Sequence, residues 1–186
     1  MSSPQPSRFA RSLQMMSDTD IDDRSQYFFN LTSARLAGIS GRWVRPEYAP
    51  EPVCALLAQS RRLFVGGAIC YDNFVSAPRC ALHAVELALN ERLGTDAKGM
   101  TFGRALGHEK AHPVVCDEQW SYWLRALALP MRNELAHPKF EIAFTPGMAV
   151  ELLAESHAFV NHLWAPVALH TGVGETISVG IVSDVS

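Results

Sequence analysis

The sequence predicts an all-α fold, a compact helical bundle, and three observations carry that expectation. Apolar residues recur at three- and four-residue spacing in long segments, among them Cys80 to Gly94, Asp117 to His137 and Thr145 to Trp164. Gly, Pro and capping residues stand at the ends of those segments. No strand series and no internal repeat competes with them. A chain of 186 residues, 48% of them hydrophobic, can bury one core and is short for two.

The elements are taken in chain order. Residues 1–45 form an N-terminal extension, partly disordered or helical: its first 23 residues are rich in Ser, Pro, Gln and Asp, with one short helix at Phe9 to Met16. A second helix is expected from Tyr27 to Gly38, followed by the linker SGRWVRPEYAPEP. Residues 46–166 form the helical domain. Its first helix spans Pro52 to Asn73 and contains Gly66-Gly67, a pair that invites close packing or a bend. Ala77 to Gly94 forms a stronger helix, with Pro78 in its first turn and Gly94 as its C-cap. A short helix covers Phe102 to Ala111 before Pro113 stops it.

Asp117 caps the next helix, whose inner face carries Trp120, Trp123, Leu124, Leu127 and Met131 until Pro130 kinks or interrupts it. Thr145-Pro146 opens the last long helix as cap and first residue, with Leu152, Leu153, Phe159, Val160 and Leu163 turned inward. Residues 167–186 are a tail that reads either as an added strand or as a disordered end. Cys54, Cys70, Cys80 and Cys116 lack CxxC spacing and are expected to pack as reduced core residues.

Composition narrows the functional classes. A net charge of −3 excludes the basic blanket of a nonspecific nucleic-acid binder, although 13 arginines against 3 lysines leave room for a local phosphate-binding patch. No apolar run approaches the ~18 residues of a membrane span, and no apolar segment follows the early arginines. A cytoplasmic protein without a membrane partner is expected.

Two histidine motifs compete for the site. GHEKAHP contains a literal HExxH, with His108 and His112 at the spacing of zinc ligands and Glu109 as the base between them. Pro113 disfavours helical geometry at His112, Lys110 puts a cation between the ligands, and no third-ligand pattern follows. No metal and no cofactor is therefore expected. The second motif, Arg132-Asn133-x-x-x-His137, arises by chance about as often as the first, roughly once in a hundred such chains, so context decides.

That context is the end of an amphipathic helix, whose negative partial charge favours an imidazolium at His137. Asn133 and His137 share a face, while Arg132 lies about 140° round the helix from His137 and about 7.5 Å along it. One copy of the motif aims its two charged groups apart; two copies across a two-fold axis can make one pocket. On the preceding helix, Arg79, His83, Glu86 and Asn90 fall within about 60° of one another, either as a solvated face or as the second wall of a cleft in which Glu86 positions Arg132. Arg125, two helical turns before Arg132, either extends a phosphate track or decorates the surface. The plain alternative leaves Arg132 paired with Glu134 or Glu118 on the surface and His137 capping carbonyls.

From Pro52 to Pro166 the chain resembles a HEPN-superfamily domain. MRNELAHP matches the signature of that family, an arginine, a polar residue and then a histidine four to six residues on, and CALHAVELALNERLG is similar to the helix that precedes it. The resemblance implies a homodimer with a composite cleft, metal-independent RNA cleavage, and a toxin or defence role with an antitoxin or operon partner. It assigns Arg132 to the scissile phosphate, His137 to acid-base work at the 2′-hydroxyl and Asn133 to orienting one of them, with Glu86, His83, Arg79 and Arg125 in support. Pro130 departs from the pattern. The other reading of the same resemblance is a catalytically inactive module that binds a nucleotide or a protein.

Overall fold

Side-chain caps set where most of the helices begin. In the computed structural model, which describes Arg24 and residues 31–94, 99–108, 117–136 and 144–166, Thr32, Thr101, Asp117 and Thr145 each accept a hydrogen bond from a backbone N–H two or three residues on. They open α1 (Ser33–Ser40), α4 (Phe102–Leu106), α5 (Glu118–Tyr122) and α7 (Pro146–Trp164). Pro50 stands at the cap position of α2 (Glu51–Gly66), with Pro52 in its first turn where no donor is lost. α3 spans Asn73–Leu93 and α6 spans Leu129–Ala136, joined to α5 by a π-helical segment, π1, over Trp123–Ala128. The described residues form an all-α bundle with no strand among them, and no helix in them is long and apolar enough to cross a membrane.

α3 is the central element and packs most extensively on α2, then on α7. Ala77, Ala81, Ala84 and Ala88 are fully buried along it, and these small side chains let neighbouring backbones approach while Leu82, Val85 and Leu89 fill the remaining space. Trp120 and Trp123 close the other end of the core by stacking against Phe159 of α7, with ring centroids 5.4 and 5.8 Å apart. All five inward residues expected on the last long helix, Leu152, Leu153, Phe159, Val160 and Leu163, are buried.

Several boundaries differ from the sequence reading, each for a local reason. α1 begins at Ser33 with Thr32 as its cap, residues 27–30 of the expected helix lie outside the described residues, and Leu36 and Trp43 join the main core, so the bundle reaches upstream of residue 46. The expected helix from Pro52 to Asn73 stops at Gly66. Gly67 follows because a Cβ there would lie 2.5 Å from the buried Phe74 ring. α3 starts four residues earlier than expected, nucleated by turn bonds from Asn73 to Cys70 and from Phe74 to Tyr71, which places Pro78 inside the helix rather than in its first turn.

Pro130 does not interrupt its helix. Its missing N–H is accommodated downstream of π1, where the Leu129 N–H already reaches back five residues to the Leu124 carbonyl. The wider turn shifts the inward position by one residue: Ala128 is buried, whereas Leu127, expected inside, is 47% exposed. The cysteines are also less buried than expected. Cys54 and Cys80 are half-buried with their thiols on backbone carbonyls, and Cys70 is exposed. The expected helix at Phe9 to Met16, Cys116 and the tail lie outside the described residues.

Candidate functional site

The polar strip of α3 faces α6, and the two helices with α2 enclose a groove of about 660 Å³. Arg79, His83 and Glu86 succeed one another at four and three residues along α3, so all three point to one side. Leu56, Gln59 and Leu63 of α2 form the facing wall. α6 contributes Arg132. Its guanidinium takes Glu86 in a fork: Nε donates to Oε2 at 3.0 Å, and Nη2 donates to Oε1 at 3.0 Å and to Oε2 at 2.9 Å. Planar bidentate pairs of this kind fix orientation as well as charge.

The pair is sheltered but open on one side. The Glu86 side chain is 14% exposed and that of Arg132 is 30% exposed. Nη1 of Arg132 donates to no described residue and remains the edge on which an anion can land. Arg79 and His83 are exposed on the same groove. Among the described residues two arginines stand against one glutamate on the groove, which leaves its lining cationic. Cys80, also on the groove, is an unpromising nucleophile: burial pushes its thiol up, against a smaller opposing pull from Arg62, and its sulfur donates to the Leu56 carbonyl at 3.3 Å.

The structure thus brings four of the expected residues together, Arg79, His83, Glu86 and Arg132. Three others stand elsewhere. Asn133 is exposed on α6 and does not line the groove. Arg125 donates to the Leu106 carbonyl at 3.3 Å, because π1 holds more residues per turn than an α-helix and two residues seven apart across it no longer stack. Asn90 ends the α3 strip half-buried, its Oδ1 without a hydrogen-bond partner. His137 lies outside the described residues.

Of the HExxH motif, Glu109 and His112 also lie outside the described residues, and His108 follows the end of α4, its N–H bonded to the Ala105 carbonyl. Gly107 closes that helix before the motif begins. Among the described residues no three His, Cys, Asp or Glu side chains gather as metal ligands.

The sequence reading overlooked one polar centre. Arg61, half-buried on α2, donates to the carbonyls of Ser40, Trp43 and Val44 and to Nδ1 of His157, a buried residue of α7. Arg61 and Arg62 sit side by side in an otherwise apolar helix, the one signal that marks them in the sequence. The segment expected as a linker is pinned to the bundle by this arginine.

No family model, no curated protein and no solved structure matches this chain. The functional reading therefore rests on the groove.

Proposed function

We propose that the protein is a HEPN-like, metal-independent endoribonuclease that cuts RNA in the groove between α3 and α6. The observation that carries this reading is the forked Glu86–Arg132 pair, which holds a guanidinium at the groove with one N–H edge unused. In this mechanism Arg132, joined by Arg79, binds the scissile phosphate and stabilises its developing charge. A histidine takes the 2′-hydroxyl proton as that oxygen attacks phosphorus, and the 5′-oxygen leaves with a proton from a second acid, giving a 2′,3′-cyclic phosphate. His137 is the first candidate for the base and His83, exposed on the groove, for the second role. Asn133, exposed on α6 off this groove, orients substrate or base where a second copy completes the cleft.

An apolar seam beside α6 supports a homodimer as the working unit. Tyr122, Leu127 and Met148 are 70%, 47% and 44% exposed and line one depression together with Met131, the neighbour of Arg132. A second copy seated there brings a second motif next to the first. An antitoxin or operon partner for a cytoplasmic toxin or defence nuclease belongs to the same proposal.

One observation favours the second reading, an inactive module that binds a nucleotide or a protein: Glu86 already neutralises Arg132 and competes with phosphate for its fork. Incubating mixed transfer and messenger RNA in EDTA with wild type, Arg132→Ala and His137→Ala, all shown to fold, separates the two. Cleavage lost in both variants, with cyclic phosphate ends in the wild-type products, upholds the nuclease. A folded wild type that binds RNA or nucleotide without cutting it upholds the module.

A further inference from the structure

Across α2 from the groove, the geometry points to a separate anion site that takes the phosphoryl group of a small molecule, held by Arg45, Arg61 and Arg62. The cavity there measures about 410 Å³, within the range of small-ligand pockets, and is bounded by these three arginines, by His157, and by Cys54 and Leu57. Among the described residues its lining carries no carboxylate. Its independence of the ribonuclease reading is physical: none of these four polar residues lines the α3–α6 groove.

Three features assign the ligand class. First, the charged side chains on the wall present donors only. Three guanidinium groups line the cavity, and Nη2 of Arg61 lies 3.3 Å from Nδ1 of His157. A wall of guanidinium N–H groups calls for a ligand that only accepts, and a phosphate presents three oxygens without donors of its own. Second, the charge is uncompensated. Arg45 and Arg62 are exposed and make no ion pair or hydrogen bond with any described residue, and Arg61 has only neutral partners.

Third, the centre of the cluster is anchored. Arg61 is fixed by the carbonyls of Ser40, Trp43 and Val44 and lies over the Trp43 ring, 5.6 Å from its centroid. Burial, and then the neighbouring Arg45, pull its guanidinium below the usual arginine range, so the site places like charges together without a counter-ion of its own. Like charges so arranged are relieved when an anion binds among them. Leu57, Ala58 and Pro46 supply an apolar shelf for the organic part of a phosphate ester.

The test uses the full chain, with inorganic phosphate and pyrophosphate as probes against chloride at equal ionic strength, read by thermal shift and calorimetry. Wild type is expected to gain thermal stability with both probes. The Arg45→Ala/Arg62→Ala variant is expected to bind them at least about tenfold more weakly, while Arg42→Ala, an exposed arginine off the cavity, behaves as wild type. Arg61 is left in place because it pins the 40–44 segment. Without any anion the double variant should melt at or above the wild-type temperature, since it removes repulsion and no partner.

Equal responses of wild type and double variant overturn the site. A double variant that melts below wild type without anion overturns it too, because the arginines then serve the fold. A third arm adds a short single-stranded oligonucleotide without terminal phosphates. Binding of that strand in place of the small probes replaces a small-molecule site with a nucleic-acid track and sinks the proposal.

Discussion

Arg132 and Glu86, 46 residues apart in the chain, meet through three hydrogen bonds of 2.9 to 3.0 Å and tie α6 to the middle of α3. Among the described residues no other side-chain hydrogen bond joins these two helices.

Glu86→Gln keeps the shape of that contact and removes its charge. We expect a loss of roughly 1–2 kcal/mol, measured by chemical denaturation, because charge-assisted bonds at a largely covered side chain are exchanged for weaker ones. Cleavage should fall with it, since Arg132 loses its orientation. Tighter RNA binding without cleavage would instead mark Glu86 as a brake on a binding module.

His83 offers the contrasting case. It is exposed and lines the groove, so His83→Ala should leave stability within about 0.5 kcal/mol of wild type. If it supplies a proton in the reaction, the same variant loses roughly a hundredfold in kcat, with its folding transition unmoved. Unchanged kcat removes it from the chemistry.

Leu127→Glu puts a charge in the exposed apolar seam. Light scattering should show a dimer for wild type and a monomer for the variant, with nuclease activity lost alongside. A wild type that is monomeric at micromolar concentration contradicts the composite cleft.

His157 gives the fold a pH dependence. Burial first, and then the adjacent Arg61 cation, hold its imidazole down at about 3, against an ordinary value of 6.5. Its folded pKa is depressed, so between about 3 and 6.5 the unfolded chain takes up a proton that the folded chain refuses. The contribution to stability is complete above about 6.5 and is lost as pH falls toward 3, with a slope of at most about 1.4 kcal/mol per pH unit. Denaturation at pH 7.5 and pH 5 should show that decline in wild type and a flatter profile in His157→Gln.

Gly67→Ala should cost about 1–3 kcal/mol, because the new methyl would meet the Phe74 ring at 2.5 Å and that ring is fully buried. Gly38→Ala is the control: nothing lies within 4 Å of its added carbon, and the change should be neutral or slightly stabilising.

The legible part of this structure is local. Asp117 and Thr145 were readable as caps because a short polar side chain before an apolar periodic run has one obvious partner, the unsatisfied N–H groups of the first turn. The strip Arg79, His83 and Glu86 was readable from helical spacing, although spacing alone does not decide whether water or another helix faces it. The features that escaped are non-local. Arg61 reaches carbonyls 17 to 21 residues away and a histidine 96 residues away, and no periodicity encodes such a reach. The break at Gly67 depends on the Phe74 ring that fills the space, so a glycine pair read on its own suggests only a bend.

π1 sets the angular phase of every residue after it. Trp120 upstream and Trp123 at its first position are in step with Phe159 of α7; downstream, Arg132 is in step with Glu86 of α3. A regular helix of the same sequence would satisfy one of these alignments and miss the other, since each residue gained or lost turns the downstream helix by about 100°. Removing one residue from this stretch would therefore leave composition, charge and apolar content almost untouched while swinging the guanidinium off its partner. The geometry of the groove is stored in a count of residues as much as in their kinds.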